Sequence, residues 1–289
     1  MAVGERFRAE TAKSIASVKR SMSGLPVAVA TDVETWDQEN EPDHLIQVDA
    51  KTRTIGNRDW LIDSTIPPGL SPFNKTLFLD SDTYLVEPAP ELFDILDHCE
   101  LAMAPVPNYY HADTDCYDED IPACIKRYNC GVMAYRDTES VQELFRRWGR
   151  KHQDDIDSGI VRNQPAFLRA FVDTDLLFHE LPPNYNFRYP QKGSVSGPVK
   201  LLHGRHWKFD HADIAEEINA SDNYRLYHER LPYFGGLFSI RDHGSYAYYV
   251  DAVARQLGIG GLVKCSTFRL LDLLDGGDRV EEVFDEHGI

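Results

Sequence analysis

The chain has 289 residues, enough to bury one substantial core. Its formal net charge of −17, from 47 acidic against 30 basic side chains, argues against a surface built for nucleic acid or anionic lipid. With no run of about 18 uncharged apolar residues, no apolar region at the N-terminus and five irregularly spaced cysteines, it reads as a soluble cytoplasmic protein with reduced thiols.

In chain order, Phe7, Thr11, Ile15, Val18 and Met22 form the stripe of an amphipathic helix, stopped by Ser23 and Gly24. Pro26 opens the short apolar run 27–30, a buried strand ending at Thr31 and Asp32. Leu45, Ile46 and Val48 suggest a second strand, and Leu77, Phe78 and Leu79, launched from Lys75 and closing on Asp80, a third. A helix follows over 91–98, then strands at 101–104, 130–135 and 201–202, with helical patterns at 141–148 and 165–171. Alternating strands and helices predict an α/β fold, a mostly parallel central sheet flanked by helices, with ligands beyond the carboxyl ends of the strands. Farther on, Tyr246, Val250, Val253 and Leu257 suggest one helix and Phe268, Leu271 and Leu274 another, before an acidic tail. The expected organisation is a catalytic domain over 1–210 and a C-terminal extension over 211–289 packed on it.

Five Asp-x-Asp triplets begin at Asp80, Asp113, Asp118, Asp155 and Asp173, so spacing alone selects none. Only Asp80-Ser81-Asp82 directly ends a buried strand, which aims two carboxylates at the ligand crevice. Hard oxygen donors there suit Mn2+ or Mg2+. A diphosphate can rest against two carboxylates in so acidic a protein only if a divalent cation bridges them.

At these residues the sequence resembles the GT-A fold glycosyltransferases, particularly the glycogenin and bacterial galactosyltransferase (family 8-like) group, over roughly residues 1–210. The resemblance implies that Asp80 and Asp82 hold the metal and that Ser81 and Lys75 approach the donor. It makes Asn129-Cys130-Gly131 similar to the strand entry whose Asn faces donor sugar and acceptor. By the same resemblance Gln164 would sit near the reacting face of the sugar, with Asn163 where the family has Asp. His203 would be the third metal ligand, with Gly204, Arg205 and Lys208 near the diphosphate, while Val3, Gly4 and Asp32 would cradle the base. The family's opening strand is represented only by the residues before Gly4. The implied reaction is metal-dependent transfer, with retention of configuration, from a nucleotide-diphosphate sugar, a UDP-sugar by resemblance, to a carbohydrate, lipid-linked or protein acceptor.

Plainer readings stand beside these: Asp80 and Asp82 as a strand cap and solvated turn, His203 as a hydrogen-bonded structural histidine, and Asn163 and Gln164 as cap residues before Pro165. The acidic loop 111–120, with Cys116, Cys124 and Cys130 nearby, invites a zinc or calcium reading, but the Cys spacings match no zinc ribbon or knuckle and an acidic run reads as a solvated loop or a flap. Rival functions are a haloacid-dehalogenase-type phosphohydrolase, disfavoured by Tyr84 two residues after the second Asp, and a non-catalytic carbohydrate-binding protein. A nucleotidyltransferase lacks its Gly-rich loop. The 29 Asp, 18 Glu and 20 Arg against only 10 Lys resemble proteins of a high-salt cytoplasm, as in a halophilic organism, with an ordinary acidic mesophile protein as the alternative.

Overall fold

The computed structural model describes residues 2–49, 52–55, 58–61, 67–106, 121–122, 124–189, 193–205, 210–219, 225–227 and 237–239. The helices expected beyond residue 245, the acidic tail, the 111–120 loop and Lys208 lie outside them.

The elements run α1 (Glu5–Ser21), β1 (Ala28–Thr31), β2 (His44–Gln47), β3 (Thr52–Ile55), β4 (Arg58–Leu61), β5 (Lys75–Leu79), β6 (Thr83–Leu85), α2 (Glu91–Asp94), β7 (Leu101–Pro105) and β8 (Tyr128–Arg136). After these come α3 (Glu139–Asp157), α4 (Gln164–Val172), β9 (Phe178–Glu180), β10 (Gly193–Val195), β11 (Leu201–His203), α5 (His211–Ile218), β12 (Arg225–Tyr227) and β13 (Leu237–Ser239). The fold is α/β, and no helix among the described residues is long and apolar enough to cross a membrane.

The central sheet has the order β5-β8-β7-β9. Strands β5, β7 and β9 share one direction, and β8 runs against both its neighbours. The parallel character expected from the sequence therefore holds for three strands, while the fourth is inserted in reverse between β5 and β7. Parallel neighbours need a long crossover; the helix pair α3–α4 supplies one between β8 and β9, which lets β9 join β7 in parallel. A second parallel pair, β1–β2, stands apart from this sheet. Between β1 and β5 lies a cleft of about 400 Å3, walled by Ile15, Val29, Leu77 and Leu79 and reaching Asp80 and Ser81.

Strand β8 is buried on both faces, which explains its nearly unbroken apolar run. Met133 and Tyr135 face α3 and α4, among Leu144, Trp148 and Phe167; Val132 and Ala134 face Leu85, Leu92, Leu96 and Leu201. Cys130 packs on the same side as Met133, although alternation would oppose them. The parity changes where the β7–β8 register shifts, at 129–132. Bulges of this kind re-aim side chains, and this one falls on Asn129, Cys130 and Gly131. The crossover helix α3 is capped by Thr138, whose hydroxyl accepts from Val141 N–H at 3.4 Å, and buries Val141, Leu144, Phe145, Trp148 and Ile156 along one stripe.

Candidate metal and diphosphate site

The site begins where β5 runs out. Asp80 N–H donates to the Gly131 carbonyl at 2.8 Å, extending the β5–β8 ladder by one residue, and the chain then turns through Ser81 and Asp82 into β6. Antiparallel pairing of β6 with β11 sets His203 opposite Thr83. Asp80, Asp82 and His203 thus arrive from two hairpin-like neighbours, and their ligand atoms lie within 4.8 Å of one another.

His203 Nε2 is 3.5 Å from Asp82 Oδ1 and 3.7 Å from Asp80 Oδ2. Two ligands each within about 2.2 Å of one ion stand no more than about 4.4 Å apart, so both separations fit a shared divalent cation. The local backbone confirms the tightness: a Cβ on Gly131 would sit 2.2 Å from His203 Cε1 and 2.4 Å from Asp80 Oδ2. Glycine alone leaves that space open. Asp82 and His203 are buried and Asp80 remains half exposed, which gives the cluster one open side.

Two arginines border the acids. Arg205 places Nη1 3.1 Å from Asp82 Oδ2 and holds Glu10 through two hydrogen bonds of 2.6 Å each, while Ser81 Oγ donates to the same Glu10 at 3.0 Å. Arg188 approaches His203 Nε2 with Nη1 at 3.3 Å, and its buried Nε has no hydrogen-bond partner among the described residues. Burial works against the Asp82 charge, but His203, Arg205 and Arg188 more than offset it and hold the carboxyl well below the usual carboxylate range. For Arg188 burial lowers the pKa, opposed by the charges of Asp82 and Asp80.

Behind the triad, Gly204 takes φ 120°, a value that favours glycine. Its N–H donates to the Asp82 carbonyl at 2.9 Å, and its own carbonyl accepts from Tyr189 Oη at 2.6 Å and from His211 Nε2 at 2.8 Å. His211 also reaches the Asp82 carbonyl at 3.2 Å and stacks on Tyr84.

Other expected residues fall in three places. Gly4 N–H donates to both Asp32 carboxylate oxygens, at 3.3 and 3.2 Å, beside Arg8 and Val3, so Val3, Gly4 and Asp32 do converge at the end of β1. Glu10 lies six residues farther along α1, about 9 Å away at helical rise, so one helix links this corner to the triad. Gln164 and Asn163 open α4, which packs on β8; the Asn163 carbonyl accepts from Trp148 Nε1 at 2.9 Å and the helix has no side-chain cap. Lys75 lies at the opposite end of β5 from Asp80. Its Nζ donates to the Phe93 carbonyl at 2.9 Å and pairs with Asp97 at 2.7 Å, so it is not brought to the triad. Among the other acidic triplets, Asp155 accepts Arg169 with both oxygens and Asp173 pairs with Lys151. Those at Asp113 and Asp118 lie outside the described residues.

Sequence reasoning missed Glu10 and Asn186, and left Arg188, which it could place only in an acceptor platform with Tyr189 and Trp207, unselected. Glu10 is one position off the apolar stripe of α1, where a carboxylate reads as solvated surface. Arg188 and Asn186 follow a Pro-rich connection with no periodicity to assign them.

No family model matches the chain, and no curated protein matches it. Solved structures similar to it include an active-site mutant of LgtC, at 12% identity and TM-score 0.49, covering 78% of this chain and 95% of that one. Another is the glycosyltransferase GlyE of Streptococcus pneumoniae TIGR4, at 16% identity and TM-score 0.48, covering 76% of this chain and 60% of that one. A third is the galactosyltransferase LgtC in complex with donor and acceptor sugar analogs, at 10% identity and TM-score 0.46, covering 70% and 84%.

Proposed function

We propose that the chain is a metal-dependent glycosyltransferase that takes a sugar from a nucleotide-diphosphate donor, with UDP as the favoured nucleotide and retention as the favoured outcome. The observation that carries this reading is the convergence of Asp80, Asp82 and His203 on one half-open point flanked by Arg188 and Arg205. Two carboxylates beside two guanidiniums suit a ligand that brings both a cation and several anionic oxygens. A simple anion site would not spend its charge on Asp80 and Asp82.

The imidazole in the donor set favours Mn2+ over Mg2+, which prefers oxygen alone. When bound, such an ion supplies charge neutralisation for the departing diphosphate. Arg205, clamped by Glu10, and Arg188, with a spare N–H, offer charge-assisted hydrogen bonds to phosphate oxygens. Val3, Gly4 and Asp32 are left, at the N-terminal end of α1, for the nucleoside. Asn129 and Gln164 orient the sugar against a carbohydrate, lipid-linked or protein acceptor. No further carboxylate is needed as a base if the leaving phosphate takes the acceptor proton. The catalytic body is assigned to residues 1–210 and the rest to an extension packed on it.

Calorimetric titration with a panel of UDP-sugars, with and without Mn2+, tests this. Binding that requires Mn2+ and is absent from the Asp80→Asn/Asp82→Asn double variant is the expected result. Hydrolysis of phosphate esters with Mg2+ and no nucleotide binding would replace the reading with a phosphohydrolase.

A further inference from the structure

We infer that Asn129 and Asn186 form a positioning relay that fixes His203 in the neutral tautomer that leaves Nε2, the nitrogen facing Asp80 and Asp82, free to ligate a metal, an inference that rests on the metal reading above. Gly131 N–H donates to Asn129 Oδ1 at 3.1 Å. A backbone N–H can only donate, so this contact settles which end of the Asn129 amide is oxygen. The same oxygen lies 3.2 Å from Asn186 Nδ2, which must donate to it, and that turns Asn186 Oδ1 toward His203. Asn186 Oδ1 stands 2.8 Å from His203 Nδ1. An amide oxygen can only accept, so Nδ1 carries the proton, and in the neutral ring the lone pair sits on Nε2, the atom that faces Asp80 and Asp82.

Every link is shielded: Asn129, Asn186 and His203 are 5%, 2% and 1% exposed. Water therefore has little access to exchange for any partner, and an amide flip would leave buried groups unpaired. Gly131 also ties the relay to the acids, since its carbonyl accepts from Asp80 N–H while its own N–H starts the chain. One residue in the β8 bulge thereby sets both the Asp80 backbone and the His203 ring. Partners of this kind orient metal-bound histidines, and losing one costs about 10–100-fold in metal affinity. Asn186 is a positioning residue in this sense, and it lies 17 residues from the histidine it controls.

The test uses the full chain, Mn2+ alone as the probe and two readouts. Nitrogen NMR of His203 in the metal-free wild type at a pH where the ring is neutral should show the proton on Nδ1. Asn186→Leu should mix the tautomers and weaken Mn2+ binding by about 10–100-fold. Asn186→Asp, which still accepts from Nδ1 but can no longer donate to Asn129 Oδ1, should keep the Nδ1–H tautomer and bind Mn2+ more tightly than Asn186→Leu. An Nε2–H tautomer in the wild type, or an Asn186→Leu variant that binds Mn2+ as tightly as the wild type, overturns the relay and leaves the metal site standing. If the wild type binds no Mn2+ at all, the metal reading fails and takes the inference with it. Should Asn186→Leu not fold, the wild-type tautomer decides.

Discussion

Gly131 carries the tightest constraint in the site, and it yields a sharp substitution test. A Cβ there meets His203 Cε1 at 2.2 Å and Asp80 Oδ2 at 2.4 Å, distances at which something must shift. The Asp80 side chain is half exposed and can swing away, but the buried His203 ring, held by Asn186, must also shift, so Gly131→Ala is expected to lower stability and to abolish Mn2+ binding. Thermal unfolding and metal titration on the same sample separate the two effects, and unchanged Mn2+ affinity would sink the cradle argument. Asp82 gives a pH test. Its carboxyl is held below the ordinary value of 3.8, so its pairing stabilises the fold above that pH and is lost as the pH falls below it. Denaturant unfolding of the metal-free protein should therefore lose stability more steeply into the acid range in wild type than in Asp82→Asn; parallel curves would contradict the ion pairing. The Asp80, Asp82 and His203 side chains were legible because each ends or follows an apolar strand. Glu10, Arg188 and Asn186 were not, because a polar residue near a site looks in sequence like any solvated one until the chain is folded.

At the scale of elements, α1 is the part that turns a strand end into a site. The apolar stripe Phe7, Thr11, Ile15, Val18, Met22 announced the helix, but the functional face is the polar row beside it. Glu10 accepts from Ser81, Ser14 Oγ lies 3.2 Å from Thr83 Oγ1, and Ser17 Oγ accepts from Leu85 N–H at 2.9 Å. Steps of four and three on a helix meet steps of two on the chain leading into β6, about 10 Å of helix against about 13 Å of strand. Alternation then sends Asp82 the other way, toward His203. Such a ladder is nearly invisible in sequence, since Ser on a helix carries no periodic apolar signal and its partners lie about 70 residues away. Ser17→Ala leaves the buried Leu85 N–H without its acceptor, an expected loss of about 1–3 kcal/mol. A denaturation midpoint within error of wild type would show that the ladder does not hold β6.

For the whole molecule, the division at residue 210 read from the sequence meets a core that crosses it. Ile214 and Ile218 of α5 are buried with Tyr84, Phe187, Tyr189, Val199 and Leu202, and β12 pairs with β10. His211, the first residue of α5, holds the carbonyls of both Asp82 and Gly204, while Lys13 on α1 pairs with Asp210. The boundary was drawn where strand and helix periodicity fades, and periodicity says nothing about which short helix fills a gap behind the Asp80–Asp82 turn. The α/β core itself was legible because its strands are runs of apolar residues and its helices are stripes; the reversed β8 was not, because direction depends on connections rather than on pattern. If the extension is integral, a fragment ending at residue 210 should unfold well below the full chain and lose Mn2+ binding. Ile218→Ala in the full chain isolates the packing part: it empties a fully buried position at an expected cost of about 2–5 kcal/mol, and metal affinity should persist as long as the fold does, because Ile218 belongs to the apolar cluster around Tyr84 and Leu202. A fragment 1–210 that melts like the full chain and binds Mn2+ equally well would instead make residues 211–289 a dispensable attachment, and would leave the His211 clamp on Asp82 without a role.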